Sequence, residues 1–162
     1  PYLDPELPAL AQALHEEFHS CNILMTNGVK LTNLAHIDSV LFSLKTFSED
    51  VHLQYTGKSN KMILRNFAAI HDSGTKLRAI SLVIPGLIEA PEIEQIAIFI
   101  GSIDRNISFM VHAYFAMPNA PWRTANSEEV EAAVKLARKH LATVPYRTLD
   151  LKRIGEPAIK IY

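Results

Sequence analysis

The chain carries a single cysteine, Cys21, a single tryptophan, Trp122, and only 6 glycines in 162 residues. One thiol closes no internal disulfide and builds no cysteine-based metal site alone, so Cys21 reads as a small buried side chain, in keeping with a reducing cytoplasm. Charge of one sign is equally scarce: the formal net charge is -1, and no basic run is longer than Arg138-Lys139. This leaves no electrostatic footprint for nucleic acid or an acidic membrane surface. No stretch of about 18 uncharged apolar residues occurs, which excludes a transmembrane helix, and no basic-then-apolar signal segment opens the chain. Internal repeats and low-complexity linkers are lacking too. The first residue is Pro1 rather than methionine, which suggests a piece of something longer.

What is present is a core. Hydrophobic residues make up 48% of the chain, enough for about one folded domain and too many for disorder. The organising stretch is Leu77 to Glu89, LRAISLVIPGLIE, whose continuous apolar, β-branched run predicts a parallel strand buried on both faces. Its functional end is Ile84, Pro85 and Gly86, before a helix that begins at Pro91.

On the N-terminal side, Leu10, Leu14 and Phe18 recur every four residues and predict a helix over Pro8 to Phe18, capped by Asp4-Pro5-Glu6. A short strand over Asn22 to Thr26, an Asn27-Gly28 turn and a brief helix or turn over Leu31 to Ile37 follow. Val40 to Lys45 reads as the second strand. Ser48-Glu49-Asp50 has capping character, and Ile63, Phe67 and Ile70 mark a helix over Asn60 to Ser73 with Gly74 as its stop. Beyond the organising strand come a helix from Pro91 to Ile103, a strand from Phe109 to Phe115, and an irregular loop through Pro118, Pro121 and Trp122. Ser127-Glu128-Glu129-Val130 then opens a helix running to Leu141. Tyr146 to Lys152 and Ala158 to Tyr162 have strand character around a Gly155 turn.

Strands and helices that alternate at this spacing predict right-handed β-α-β units and a parallel sheet. Four such strands, plus one or two at the end, are about half of a closed eight-stranded barrel. The fold class is therefore α/β, a partial parallel (β/α) barrel over residues 1 to 145, with a tail over 146 to 162 of edge-strand character that could add edge strands or dock a partner. Ligands of such sheets gather at the C-terminal strand ends. Those ends carry Thr26 and Asn27, Ser43 and Lys45, Ile84 to Gly86, and His112, Tyr114 and Met117. Ser43 and Lys45 share one face of their strand and need partners there. Lys45 could meet a carboxylate or phosphate, form a Schiff base, or snorkel outward. His112 reads as a satisfied core histidine, Trp122 as a loop anchor, and His15 with His19 as a solvated helix face rather than a metal site.

Taken together, MTNGVKL, VLFSLKTFSEDVHLQYTGKSNKMILRNF, LRAISLVIPGLIE and the SEEVEAAVKLA helix resemble the radical S-adenosylmethionine (SAM) family. The branch is the glycyl-radical-enzyme activating one, typified by the pyruvate formate-lyase activating enzyme, and the resemblance covers residues 1 to 141. It implies that the family's C-x3-C-x2-C loop and Gly-Gly-Glu motif precede Pro1. The intact parent then binds a 4Fe-4S cluster and SAM, while this chain alone binds no cluster. It implies SAM contacts at Thr26, Asn27, Ser43 and Lys45, an adenine shelf of Leu82, Ile84, Pro85 and Gly86, and a flank at His112 or Tyr114. The family's third-strand Asp-Thr-Asn-Gly stands here as Met25, Thr26, Asn27 and Gly28, and its Asp-Leu-Lys as Ser43, Leu44 and Lys45, so both aspartates are replaced. Its ribose arginine falls at Ile80, with Arg78 two residues lower on the same face. The implied partner is a glycyl-radical enzyme or another radical acceptor. Rival readings are a non-catalytic barrel piece completed by another subunit, and a Schiff-base or phosphate-binding barrel enzyme using Lys45. An unpaired sheet edge near Asn22 to Thr26 is expected, with dimerisation through it.

Overall fold

In the computed structural model the described residues are 5–31 and 33–148. Asp4 of the expected cap, and the Gly155 turn and Ala158 to Tyr162 strand of the tail, lie outside them. The elements run α1 (Leu7–Phe18), β1 (Ile23–Thr26), β2 (Ser39–Ser43), α2 (Glu49–Thr56), α3 (Lys61–Asp72), β3 (Lys76–Val83), α4 (Ala90–Ile103), β4 (Ser108–Ala113), α5 (Ser127–Ala137) and β5 (Tyr146–Arg147). All five strands pair in parallel, in the order β1-β2-β3-β4-β5. Because spatial order follows chain order without reversal, the sheet winds in one direction, as in part of a (β/α) barrel and not as in a doubly wound fold.

The register sorts the side chains into two faces. Phe42, Ala79 and Phe109 lie side by side across three strands and are fully buried. Against this face α3 lays Ile63, Phe67 and Ile70, α4 lays Ile93, Ile96 and Ile100, and α5 lays Val130 and Val134, all in one core. The opposite face carries the rows Met25–Leu41–Arg78–Ser108, then Ser43–Ile80–Met110, then Leu82–His112–Arg147. None of these residues is buried. In a closed barrel this face would be the interior; here it is open. The expectation that β3 is buried on both faces is corrected accordingly, since its residues alternate between buried and half-buried. Its apolar run reflects a sheet face that is shielded without being covered.

At the end of β3 the chain reverses tightly. Leu87 N–H donates to the Ile84 carbonyl at 3.0 Å, and Ile84 and Ile88 exchange both backbone bonds at 2.8 Å. Pro85 and Gly86 occupy the turn, with Gly86 at φ 81°, the pairing expected of a type II turn.

Three local readings change. The apolar stripe of α1 does not face the core: Leu10 and Phe18 are 56% and 71% exposed, and the buried residue is Ala11. Cys21 is exposed rather than buried, because it sits in the link between α1 and β1 before the first core position, Leu24. A whole helix, α2, stands where only capping character was read, since its buried residue is the polar His52 and no apolar stripe marks it. The helix-or-turn reading of Leu31 to Ile37 settles as a turn at Ala35 and His36, with Thr32 outside the described residues. The cap of α5 is Asn126, whose side chain accepts the Glu129 N–H while the Glu129 carboxylate accepts the Asn126 N–H.

Candidate functional site

Lys45 lies two residues past β2, at the C-terminal end of the sheet. The backbone is held on both sides of it. Leu44 N–H donates to the Ile80 carbonyl at 3.0 Å, and the Ser81 hydroxyl donates to the Lys45 carbonyl at 3.4 Å. Beyond it, the Glu92 carboxylate from α4 accepts the Phe47 and Ser48 N–H groups at 2.6 and 2.8 Å and the Ser48 hydroxyl at 2.7 Å. Asn60, at the start of α3, donates to the Phe47 carbonyl at 2.7 Å. A polar loop is thus fixed from two helices.

The Lys45 ammonium stands 4.7 Å from the centre of the Tyr55 ring, a cation–π contact. No carboxylate pairs with Lys45 among the described residues. Burial without a counter-charge lowers its affinity for its proton below that of a free lysine. Tyr55 in turn packs edge-on to Trp122, with ring centres 5.5 Å apart, and Trp122 packs edge-on to Tyr114 at 6.3 Å. Trp122 is therefore the loop anchor expected of it, tying the segment after β4 to α2. Burial, then the neighbouring Tyr114, pushes the Tyr55 phenol upward. His52 is 2% exposed, with Nδ1 2.9 Å from the Thr46 hydroxyl. Burial, then the Lys45 charge, lowers its pKa from the ordinary value, favouring the neutral ring.

Two cavities meet at Ser43 and Lys45. The larger, about 350 Å³, extends toward Asn27, His52 and Lys58. The smaller, about 150 Å³, is lined by Tyr55, Leu82, Ile84 and Ile88. Of the residues singled out in the sequence, the fold brings together Asn27, Ser43, Lys45, Leu82 and Ile84. Thr26 is buried, and its hydroxyl accepts the Gly28 N–H at 3.1 Å. Pro85 lines a different cavity, beside Glu89 and Glu129. Gly86 lies exposed in the turn, donating its N–H to Glu89 at 2.9 Å. His112 is half-buried beside Leu82 and Arg147 on the open face; burial, then the Arg147 charge, lowers its pKa. Tyr114 touches the site through Trp122. Arg78 sits two rows below the strand ends, with Nε buried and without a hydrogen-bond partner. His52 and Tyr55 were not legible in advance, because both ride on α2.

Cys21, His15 and His19 form no metal group, and none of three or more His, Cys, Asp or Glu residues exists among the described residues. Nor is any helix among them long and apolar enough to cross a membrane.

No protein-family model matches the chain. It is 27% identical over 161 residues to a protein of Methanocaldococcus jannaschii provisionally named a glycyl-radical enzyme activating enzyme, covering 94% of this chain and 62% of that protein's length. Its fold matches the crystal structure of a domain of pyruvate-formate lyase-activating enzyme from Bacteroides vulgatus, with a TM-score of 0.74 and 16% identity over 91% of this chain and 93% of that one. It also matches SuiB of Streptococcus suis bound to S-adenosylmethionine, with a TM-score of 0.66 and 13% identity over 88% of this chain and 35% of SuiB. The chain thus resembles the glycyl-radical activating branch in sequence, has the fold of part of a radical SAM barrel, and spans about three-fifths of its curated relative.

Proposed function

We propose that this chain is the cluster-free part of a radical SAM activating enzyme, whose intact form generates a radical on a glycyl-radical enzyme or a small substrate. The observation that carries the reading is the placement of an unpaired, half-buried Lys45 beside an apolar cavity at the C-terminal end of a singly wound parallel sheet. That is where barrel enzymes hold their ligands.

SAM suits these residues. The Lys45 ammonium and Ser43 hydroxyl would bind its carboxylate, Leu82 and Ile84 would support adenine, and Tyr55 would close the ring side. Asn27 borders the same region, whereas Pro85 and Gly86 would act by shaping the turn, and His112 or Tyr114 by flanking it. Thr26 would act through the Gly28 turn. The cluster does not fit this chain, whose one thiol is the exposed Cys21. In the intact family the cluster supplies the electron that cleaves SAM reductively; the residues here bind and orient.

The test is the intact mass of the native protein, with iron and sulfide content after anaerobic purification. A mass well above 18.1 kDa with about four irons per molecule supports the reading. A native mass equal to this chain without iron overturns it. A second expectation is that SAM binds the isolated chain weakly or not at all. A dissociation constant near 1 μM, about 8 kcal/mol by calorimetry, would contradict it.

The open sheet face and the edge strand β1 favour one alternative, a non-catalytic piece completed by another subunit. Three cysteines encoded upstream of Pro1 would favour the enzyme, and a start codon near Pro1 the alternative.

A further inference from the structure

The open sheet face carries charge of one sign. Its rows hold Arg78, His112 and Arg147, and no aspartate or glutamate stands in any of them. Arg78 lies between Leu41 and Ser108, with Ile80 next above it on the same strand face. It makes no ion pair among the described residues, and its Nε is buried without a hydrogen-bond partner. A guanidinium nitrogen buried against apolar side chains without an acceptor is costly. The guanidinium is set for an acceptor that β1, β2 and β4 do not supply.

Strand order says where that acceptor comes from. The strands follow one another across the sheet in chain order without a skip, so a strand that extends the sheet past β1 is one that precedes it in the same polypeptide. The curated relative has length to spare beyond this chain. A second copy laid on the face would instead set the same cations against each other. In a closed barrel inward side chains from different strands meet in layers, which brings the facing wall within reach of Arg78.

We infer that the strands completing the barrel turn an aspartate or glutamate inward, and that this carboxylate accepts paired hydrogen bonds from the Arg78 guanidinium. The inference rests on the reading of the chain as part of a longer enzyme. The pair lies one row beneath Ser43 and Ile80 and two beneath Leu82, apart from the proposed SAM contacts. It also fixes how the barrel closes, because a strand shifted by one residue turns its carboxylate to the outer face.

The experiment makes Arg78→Met in the 162-residue chain and in the intact native protein. Methionine keeps much of the packing of the arginine stem. In the chain alone the urea midpoint is expected to hold or rise, since an uncompensated charge is removed. In the intact protein the same change strands the carboxylate, and Tm is expected to fall by about 10 °C. Photo-cross-linking from benzoylphenylalanine in place of Met110, beside Arg78 on this face, is expected to return a peptide from outside the 162 residues that contains aspartate or glutamate. Replacing that carboxylate by leucine alongside Arg78→Met should recover Tm. An unchanged Tm in intact Arg78→Met overturns the inference, as do cross-links confined to this chain or its copies and a double variant that recovers nothing. A lowered urea midpoint in the chain alone also overturns it, by showing the guanidinium already satisfied there. Iron content decides the proposed function separately: a longer native protein without iron fails that reading and leaves the Arg78 pair to be judged on these results.

Discussion

Gly28 shows how one residue holds the site's first wall. It adopts φ 71° in the turn after β1, and a Cβ placed on it would lie 1.9 Å from Phe42 Cζ. Its carbonyl accepts the Asn66 amide at 2.7 Å. Gly28→Ala combines left-handed strain with overpacking and should cost about 2–4 kcal/mol, seen as a lower urea midpoint at unchanged slope. His52 supplies a pH signature. Its folded pKa lies below the ordinary 6.5, so the unfolded chain takes up the proton first. Stability is full above about pH 6.5 and falls as pH drops toward the folded value. His52→Gln should flatten that slope in urea titrations at pH 5 to 7; a slope equal to wild type would sink the assignment. At this scale Lys45 and Ser43 were legible, because alternation alone puts two polar side chains on one strand face. His52 and Tyr55 were not: a short helix whose buried residue is a histidine leaves no periodic trace.

Among the elements, the junction of β2 with α2 depends on a carboxylate 44 residues away: Glu92 takes up two N–H groups and a hydroxyl there. No sequence spacing announces such a contact. Glu92→Ala should cost about 1–3 kcal/mol by leaving those donors unpaired, and hydrogen exchange at Phe47 and Ser48 should quicken while β3 amides keep their protection. An unchanged exchange rate at Phe47 would show that the loop is held by Asn60 alone. The helices α3, α4 and α5 and the strands β1 to β4 were legible because each repeats its apolar period against one core. The partner of α1 was not, because periodicity reports that a helix has an apolar stripe, not where the stripe goes.

For the molecule as a whole, the expected edge is present: β1 is the terminal strand, with Ile23 and Met25 53% and 60% exposed. Together with the open sheet face this leaves backbone donors and apolar area without cover among the described residues. The isolated chain should self-associate at high concentration, and Met25→Lys should raise the monomer fraction in sedimentation velocity; a wild type monomeric at all concentrations would contradict this. A partial barrel was legible from alternation and length, whereas the bareness of one face follows only from strand order. That order bears on how the polypeptide assembles during synthesis. Because every strand docks beside its immediate predecessor, no strand has to wait for a partner more than one unit along the chain to leave the ribosome, and the sheet can grow one unit at a time from its first edge, each parallel pairing forming once its own crossover has been made.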